Sequence, residues 1–479
     1  MNYRMLIYLL GIITMIEAAL MVFPLLVALI YGESVMPFLI TMAIMLVLAL
    51  PIVIFKPKNK RIYAKEGFIT AATSWLLLSC FGALPFVFSG AIPNYIDALF
   101  ETVSGFTTTG ASILTEVESL PRGILFWRSF THWVGGMGVL VFMLAILPTD
   151  NGHAMHLLRA EVPGPTKDKI VPKMRQTALI LYGIYMALTV VLFIALLCTK
   201  MPPYDSIVNA FATAGTGGFS VKNASIGAYQ NPAAEWVIAL FMLLFGANFN
   251  IYFLLLIKRF RDVLKNEELR VYLVLCVLAT ALITLNTLSY FPTVGETVRT
   301  AFFQVSTLIS TTGFVTTNYD LWPSFSKTIL LLVMVTGSCA GSTAGGLKIS
   351  RVIIAIKNMF RSVKKTIRPR SVNVVRMDGE AVPDATLHAT ASYVSIYFAL
   401  IVIVTLLLSF DGFSIETNLT ATLATINNVG PGLATVGPTG NYAAFSPFSK
   451  IVLAFSMLIG RLGIMPILIL FSPTTWRRG

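Results

Sequence analysis

The stretch Thr108-Thr109-Gly110-Ala111 is the first of four short turns that decide the fold of this chain. The related turns are Thr216-Gly217-Gly218-Phe219, Thr311-Thr312-Gly313-Phe314 and Asn428-Val429-Gly430-Pro431. Their glycines are 108, 95 and 117 residues apart, and each turn follows a short amphipathic segment. This spacing leaves room each time for a membrane helix, a half-helix with its loop, and a second membrane helix. The sequence therefore predicts a fourfold arrangement on one chain.

The composition indicates a polytopic membrane protein. Apolar residues make up 56% of the 479 residues and charged residues only 12%, which excludes an ordinary soluble protein. The first apolar run, over 5–30, is too long for the core of a secretory signal and is predicted to be a retained helix. The cysteines have no paired spacing, so neither a disulfide framework nor a zinc site is expected from Cys80, Cys198, Cys276 and Cys339.

Ten apolar stretches are long enough to span a membrane, which predicts an all-α fold. They are 5–30, 34–55, 67–90, 124–148, 176–199, 234–257, 268–291, 326–357, 390–410 and 448–471. Lys and Arg crowd the connections 56–65, 167–175, 258–270 and 361–376, whereas the opposite loops nearly lack them. The positive-inside bias therefore predicts that these connections and both termini are cytoplasmic. The basic runs adjoin membrane helices without an aromatic pattern, so no nucleic-acid partner is expected.

Four short segments are predicted to dip into the membrane and return, because about 1.5 Å of helical rise per residue cannot carry them across about 30 Å. They are 97–106, 205–214, 297–309 and Ile415–Ile426, and Asp97 and Asp205 are expected to cap the first two. Irregular backbone at membrane depth needs a buried or water-lined axis, so the four dips predict one central pore. The predicted units are a two-helix extension over 1–65 and pore repeats over 66–150, 151–265, 266–376 and 377–479.

The four turns are the candidate ion site. Half-helix C-termini pointing inward, followed by glycine turns, would form a ring of carbonyl oxygens suited to a dehydrated monovalent cation. One such turn alone is more typical of a glycine-rich helix connection or a packing seam, and it is the fourfold recurrence that favours the pore. The predicted ion-binding residues are Thr108, Thr109, Gly110, Thr216, Gly217, Gly218, Thr311, Thr312, Gly313, Asn428, Val429 and Gly430.

These features resemble the Trk/Ktr/HKT superfamily of potassium transporters over nearly the whole chain. Within it, the two additional N-terminal helices, the turn 427–432 and the glycine-rich stretch 337–348 are most similar to the membrane subunit of bacterial Trk uptake systems. The resemblance implies that the four turns form a selectivity filter in which Gly110, Gly218, Gly313 and Gly430 coordinate potassium. Some sodium-preferring plant relatives carry serine at the first of these positions, so the glycine here favours potassium.

The stretch 337–348 is a candidate gate. Its glycines, Gly337, Gly341, Gly345 and Gly346, would unwind the span 326–357 about 11 residues in. A kinked packing helix is the alternative, whereas the resemblance implies an intramembrane loop that plugs the path below the filter. Arg461 lies about 14 residues into the last span, where an isolated guanidinium is costly. The resemblance implies a pore-facing electrostatic barrier, and a structural arginine bonded to loop carbonyls is the alternative. Lys348 is expected to be an interface cation.

No catalytic constellation is present, so the chain is not expected to be an enzyme. His132 is expected to be a packed or interfacial histidine, and Glu101 to bind a neighbouring backbone amide. No P-loop or Rossmann motif occurs, so no cofactor is expected on this chain and any nucleotide control must come from a partner.

Potassium transport by a membrane subunit of Trk type is the predicted function, with K⁺ as the transported ion in a cell inner membrane. The resemblance implies a homodimer on a cytoplasmic regulatory subunit that binds a nucleotide, either ATP/ADP or NAD. Two alternatives stay open, a Ktr-like sodium-dependent transporter and an inverted-repeat secondary cation symporter.

Overall fold

The protein is described here by a computed structural model that covers residues 2–59, 64–138, 174–371 and 373–472. Apart from one two-stranded hairpin, all of the regular structure in these ranges is helical. In the first half the α-helices are Tyr3–Leu20, Val22–Ile30, Met36–Ile54, Ala64–Gly82, Leu84–Phe88, Tyr95–Phe106, Arg122–Gly136, Met174–Cys198, Pro203–Gly215, Pro232–Gly246 and Phe249–Leu256. In the second half they are Phe260–Lys265, Glu267–Thr287, Val294–Ile309, Ser324–Thr336, Ile349–Ile367, Asp384–Leu408, Ile415–Ile426, Pro447–Leu462 and Ile464–Phe471.

Short elements complete the architecture. The hairpin pairs strands Arg376–Met377 and Glu380–Ala381 in antiparallel register, with Met377 opposite Glu380. The 3₁₀ helices are Ser225–Tyr229, Leu288–Tyr290, Tyr319–Leu321, Ser409–Asp411 and Ala434–Val436. The N-terminal helix Tyr3–Leu20 packs against Met36–Ile54 and Ala64–Gly82. The N-terminal extension is therefore in contact with the helix that begins the first predicted repeat.

The predicted all-α membrane fold is confirmed. Among the described residues six helices are long and apolar enough to cross a membrane, and a bent pair would make a seventh. The six are Tyr3–Ile30, Met36–Ile54, Glu66–Phe88, Gln176–Cys198, Glu267–Tyr290 and Asp384–Asp411, each within six residues of a predicted span at either end. The predicted repeat boundaries stay a prediction, and the boundary at 150 lies outside the described residues, as do Lys167, Lys169 and Lys173.

Two of the ten predicted spans contain a break that the sequence does not predict. The span predicted over 234–257 is broken into Pro232–Gly246 and Phe249–Leu256, which meet at an angle of 91°. The span predicted over 448–471 is broken at Gly463, whose φ of 82° falls in the left-handed region. The span predicted over 124–148 is helical to Gly136, and 139–148 lie outside the described residues. The predicted interruption of 326–357 is present, with the helix ending at Thr336.

The break after Gly246 has a hydrogen-bonding cause. The last carbonyl groups of a helix have no partner within it. Here the carbonyl oxygens of Phe245 and Gly246 accept hydrogen bonds from the backbone N–H groups of Thr343 (3.4 Å) and Cys339 (3.2 Å). The chain segment 337–348 therefore takes the place of the next helical turn, and the helix can end at membrane depth without unsatisfied carbonyls.

The four short helices lie where the sequence predicted half-helices. We call them the re-entrant helices: Tyr95–Phe106, Pro203–Gly215, Val294–Ile309 and Ile415–Ile426, of 12, 13, 16 and 12 residues. At about 1.5 Å per residue they are about 18–24 Å long, too short to cross a bilayer. Most residues in the second half of each helix are buried.

The predicted capping role of Asp97 and Asp205 is wrong. The N-cap positions are held by Asn94, whose side chain accepts from the N–H of Ile96, and by Pro202. Both aspartates lie instead in the first helical turn, where a carboxylate still interacts favourably with the positive helix end. Asp97 also forms an ion pair with Lys450 (2.7 Å), which ties the first re-entrant helix to the last long helix of the chain.

Candidate functional site

The four predicted turns share one backbone conformation. Each contains a non-glycine residue with left-handed φ, and the glycine two positions later also has positive φ. The first residues are Thr108, Thr216, Thr311 and Asn428, with φ of 56°, 57°, 55° and 53°. The glycines are Gly110, Gly218, Gly313 and Gly430, with φ of 77°, 77°, 86° and 93°. Side chains other than glycine rarely adopt such angles, so four coincidences at matching positions indicate one repeated structure, which we call the ring turns.

The ring turns lie against one another in a closed circle. A Cβ atom added to any of the four glycines would overlap a carbonyl oxygen of the next turn. The pairs are Gly110 with Gly217, Gly218 with Thr312, Gly313 with Val429, and Gly430 with Thr109. The last pair joins the fourth turn back to the first. The structure therefore brings all twelve predicted site residues together around one axis.

Each ring turn also closes its re-entrant helix in the same way. The backbone N–H of the middle turn residue donates to a carbonyl five residues earlier, at 2.8–2.9 Å: Thr109 to Ser104, Gly217 to Ala212, Thr312 to Thr307 and Val429 to Ala424. The C-terminal ends of four helices, which carry partial negative charge, therefore converge on the ring. Converging carbonyl groups of this kind can replace the hydration shell of a monovalent cation.

A buried ion pair joins the chain segments that follow the first two ring turns. Glu101, in the first re-entrant helix, accepts from Arg128 Nε (2.6 Å), from the Ser112 hydroxyl (2.9 Å) and from the backbone N–H of Ile113 (3.0 Å). Arg128 donates in turn to the Ser220 carbonyl (3.1 Å). The predicted contact of Glu101 with a neighbouring backbone amide is confirmed. Nothing in the sequence indicates its partner Arg128, because the two residues are 27 positions apart.

His132 joins the same two turns, as a packed histidine rather than a metal ligand. Its Nδ1 lies 2.6 Å from the carbonyl oxygen of Gly105, and its Nε2 accepts from the backbone N–H of Phe219 (3.3 Å). A carbonyl can only accept, so Nδ1 carries the hydrogen and the imidazole is neutral. The ring also stacks on Phe219 at a centroid distance of 4.1 Å. Among the described residues there is no group of His, Cys, Asp and Glu that could hold a metal ion.

The segment 337–348 forms a loop directly against one side of the ring. The backbone N–H of Gly345 donates to the Thr311 hydroxyl (2.8 Å), and Gly345 lies so close to the carbonyl of Asn427 that a Cβ would overlap it. At the start of the loop, the Ser338 hydroxyl donates to the carbonyl of Ile309, the last residue of the third re-entrant helix (3.1 Å). The structure thus has an irregular loop here rather than the alternative kinked packing helix.

Arg461 contacts both the loop and the ring. Its guanidinium donates to the carbonyl oxygens of Gly135 and Gly136 (2.5 Å each), to the carbonyl of Thr343 in the loop, and to the Thr108 hydroxyl (3.2 Å). This is the arrangement considered as the alternative from sequence, an arginine bonded to loop carbonyls. The contact with Thr108 also places its positive charge next to the first ring turn, and a barrier role stays a prediction.

Lys348 is buried rather than located at the membrane interface. The residue is 3% exposed, and its Nζ donates to the carbonyl of Ala344 within the same loop. The prediction of an interface cation is therefore wrong. The cause is the folding of the loop back on itself, which turns the side chain inward.

Glu268 and Glu17 are two of the buried carboxyl groups that the sequence does not mark as functional. Glu268 lies in the first turn of the helix Glu267–Thr287 and contacts the loop. Glu17 lies in the middle of the first span, is 1% exposed, and has no hydrogen-bond partner for either carboxyl oxygen among the described residues. A lone acidic residue in an apolar run was the available signal for Glu17, because such residues are costly in a membrane and normally have a role.

Comparison with known proteins agrees with the ring geometry. The family described as TrkH, cation transport protein, matches residues 35–477. The chain belongs to this family. Relatives within the TrkH family include the Trk system potassium uptake protein TrkH of Salmonella typhimurium (strain LT2), 36% identical over the full length of both chains. The Trk system potassium uptake protein TrkG of Escherichia coli (strain K12) is 30% identical, covering 99% of each chain.

A solved structure of the TrkH family supports the whole fold. The crystal structure of the potassium transporter TrkH from Vibrio parahaemolyticus superimposes with a TM-score of 0.89 at 31% identity, and the match covers all of both chains. The resemblance suggested by the four glycine turns and the stretch 337–348 is thereby confirmed at the level of family and fold.

Proposed function

We propose that this chain is the potassium-conducting membrane subunit of a Trk-type uptake system. The observation that carries the proposal is the closed circle of four ring turns, in which each glycine packs against a carbonyl group of the next turn. The converging helix ends favour a cation, and the names of the relatives favour potassium. In the proposed topology the basic connections and both termini are cytoplasmic.

Ion flux into liposomes tests this function. The purified chain should take up K⁺ and its analogue Rb⁺ faster than Na⁺, because a ring held by close glycine packing matches the larger, more easily dehydrated ions. Uptake that requires Na⁺ would favour the Ktr-like alternative. Equal fluxes of K⁺ and Na⁺ would contradict the proposed selectivity filter.

We propose further that the 337–348 loop is the gate and that Arg461 adds an electrostatic barrier beside it. Supporting this, the loop contacts Thr311 at the ring, and Arg461 contacts both the loop and Thr108. Deleting part of 341–345 should raise Rb⁺ flux because it removes the obstacle. Arg461→Ala should raise it because it removes the positive charge. Wild-type flux in both variants, each checked for a monodisperse elution profile, would contradict the gate.

Regulation is proposed to come from outside the chain. The system naming of the relatives supports a multicomponent assembly, and we propose a homodimer that binds a cytoplasmic, nucleotide-binding subunit through the basic connections. Anionic lipid head groups are the competing partner for these positive charges. Flux measured with and without a candidate subunit, in ATP, ADP and NAD, decides between them. Flux that ignores both subunit and nucleotide would leave an autonomous transporter.

A further inference from the structure

The 337–348 loop has a closed neck. The carbonyl of Ser338, near its start, accepts from the backbone N–H of Ile349, just after its end, at 3.0 Å. The two flanks of the loop are therefore held side by side, and the residues between them project toward the ring. The tip is in contact with the ring through Gly345 and Thr311. For the tip to move away from the ring as a unit, the contacts at the neck must rearrange.

Glu268 bridges this neck from a different helix. Its Oε1 accepts from the backbone N–H of Ala340 (2.8 Å) on one flank and of Ser350 (3.0 Å) on the other. Glu268 lies in the first turn of the helix Glu267–Thr287 and is only 3% exposed. A buried acceptor that loses its hydrogen-bond partners costs about 1–3 kcal/mol, and two backbone N–H groups would lose their partner at the same time. One carboxylate oxygen thus holds both flanks of the loop to a membrane helix.

The position of Glu268 also connects the loop to the basic face of the protein. The preceding residue, Glu267, forms an ion pair with Lys357 (2.5 Å), and its backbone N–H donates to Asp378 Oδ1 (2.7 Å). Asp378 lies in the turn of the hairpin 376–381, and Lys357 also donates to the carbonyl of Arg376 (2.8 Å). A displacement of the hairpin would therefore act on the residue next to Glu268.

We infer that Glu268 is a latch that holds the 337–348 loop against the ring, and that the hairpin 376–381 is the cytoplasmic handle of this latch. The inference rests on the proposed gating function of the loop. It adds a residue that touches neither the ion path nor the ring and controls the gate by positioning the loop. Releasing Glu268 removes one hydrogen bond from each flank at once, since a single oxygen atom accepts from both, and leaves the bond from the Cys339 N–H to the Gly246 carbonyl in place.

A native cysteine allows the latch to be tested without measuring transport. Cys339 lies in the neck and is fully buried. In a full-length protein whose other cysteines, Cys80, Cys198 and Cys276, are replaced by alanine, a charged methanethiosulfonate reagent reports release of the neck through the rate of Cys339 labelling. Glu268→Ala should raise this rate about tenfold or more, because the hydrogen bonds to the carboxylate are lost. Glu268→Gln keeps a carbonyl oxygen of nearly the same shape as acceptor and should give a smaller rise, about threefold.

The same preparations give a flux measurement and a matched control. Glu416→Ala removes an exposed first-turn carboxylate from another helix and should leave labelling and flux unchanged. Glu268→Ala should raise Rb⁺ flux without altering the ratio of K⁺ to Na⁺ flux, since the ring is untouched. Asp378→Ala should raise labelling in the same direction, and adding it to Glu268→Ala should give no further rise, because both act through one latch.

The outcomes separate the latch from the proposed function. Wild-type labelling rates in monodisperse Glu268→Ala protein overturn the latch even if potassium flux is present. If Glu268→Ala does not fold, a wild-type rate in Glu268→Gln overturns it. Faster labelling in proteins that pass no ion supports the latch and overturns the transport function. An additive effect of Asp378→Ala overturns the role of the hairpin as the handle.

Discussion

Replacing Gly313 by alanine should weaken potassium binding at the ring. The residue has φ of 86°, which costs an alanine about 1–2 kcal/mol relative to ordinary backbone angles. The new Cβ would also overlap the carbonyl oxygen of Val429 and lie 2.9 Å from Pro431 Cδ, so the third and fourth ring turns must move apart. A penalty of about 1–2 kcal/mol corresponds to roughly 5–30-fold weaker binding of an ion that needs the closed ring.

Competition measurements in liposomes check this value. Rb⁺ uptake is titrated with unlabelled K⁺ and with Na⁺, and the ratio of the two half-inhibiting concentrations reports discrimination. The matched control is Gly295→Ala in the re-entrant helix of the same repeat, where φ is ordinary and no atom beyond the adjoining backbone lies within 4 Å of the added Cβ. The control should keep the wild-type ratio. A wild-type ratio in Gly313→Ala as well would refute the assignment of the ring as the selectivity filter.

Three further predictions concern charged residues outside the ring turns themselves. Arg128→Ala should destabilise the protein by about 3–5 kcal/mol, because it leaves Glu101 buried without its ion pair, and Glu101→Gln combined with Arg128→Met should melt at a higher temperature than Arg128→Ala alone. Glu17→Leu should raise the melting temperature, since an unpartnered buried polar group costs about 1–3 kcal/mol; normal folding with lost uptake would instead give this carboxyl a role in transport. In the exposed loop, the hydrogen bond from Lys222 lowers the pKa of Glu118, so the pair should contribute stability near neutral pH that is lost as the pH falls through the lowered pKa, and the difference in melting temperature between wild type and Lys222→Ala should shrink in acid.

The sequence was sufficient for the re-entrant helices because their length decides the matter. Segments such as 97–106 and Ile415–Ile426 are amphipathic, too short to span, and followed by a glycine turn, so only a dip into the membrane accommodates them. The glycines of the ring could be predicted as well, because each one directly follows such a segment. The left-handed threonines beside them were not, because threonine gives no sign that its backbone will adopt φ near 56°.

The breaks in the long helices could be predicted only where glycine is dense. The stretch 337–348 has four glycines, whereas Gly246 and Gly463 stand nearly alone in apolar runs, where glycine is common in membrane helices anyway. The partnership of Glu101 with Arg128 and the contact of Glu268 with Ala340 depend on tertiary packing between distant segments. Periodicity along one chain carries no information about which of these side chains meet.

The closed circle of ring turns is built by one polypeptide, and this affects how it can change. In an assembly of four identical subunits, every substitution enters the circle four times, so its steric cost at the contact between neighbouring turns is multiplied by four. Here a substitution enters once, so one ring turn can change its sequence while the other three keep the packing of the circle. The asymmetry is already visible: the third ring turn contacts the loop through Thr311, the fourth reaches the first through Asn428 and Thr109 (2.9 Å), and the first contacts Arg461. In such a chain, one ring turn can acquire contacts with a gate while the other three ring turns keep their sequence and packing.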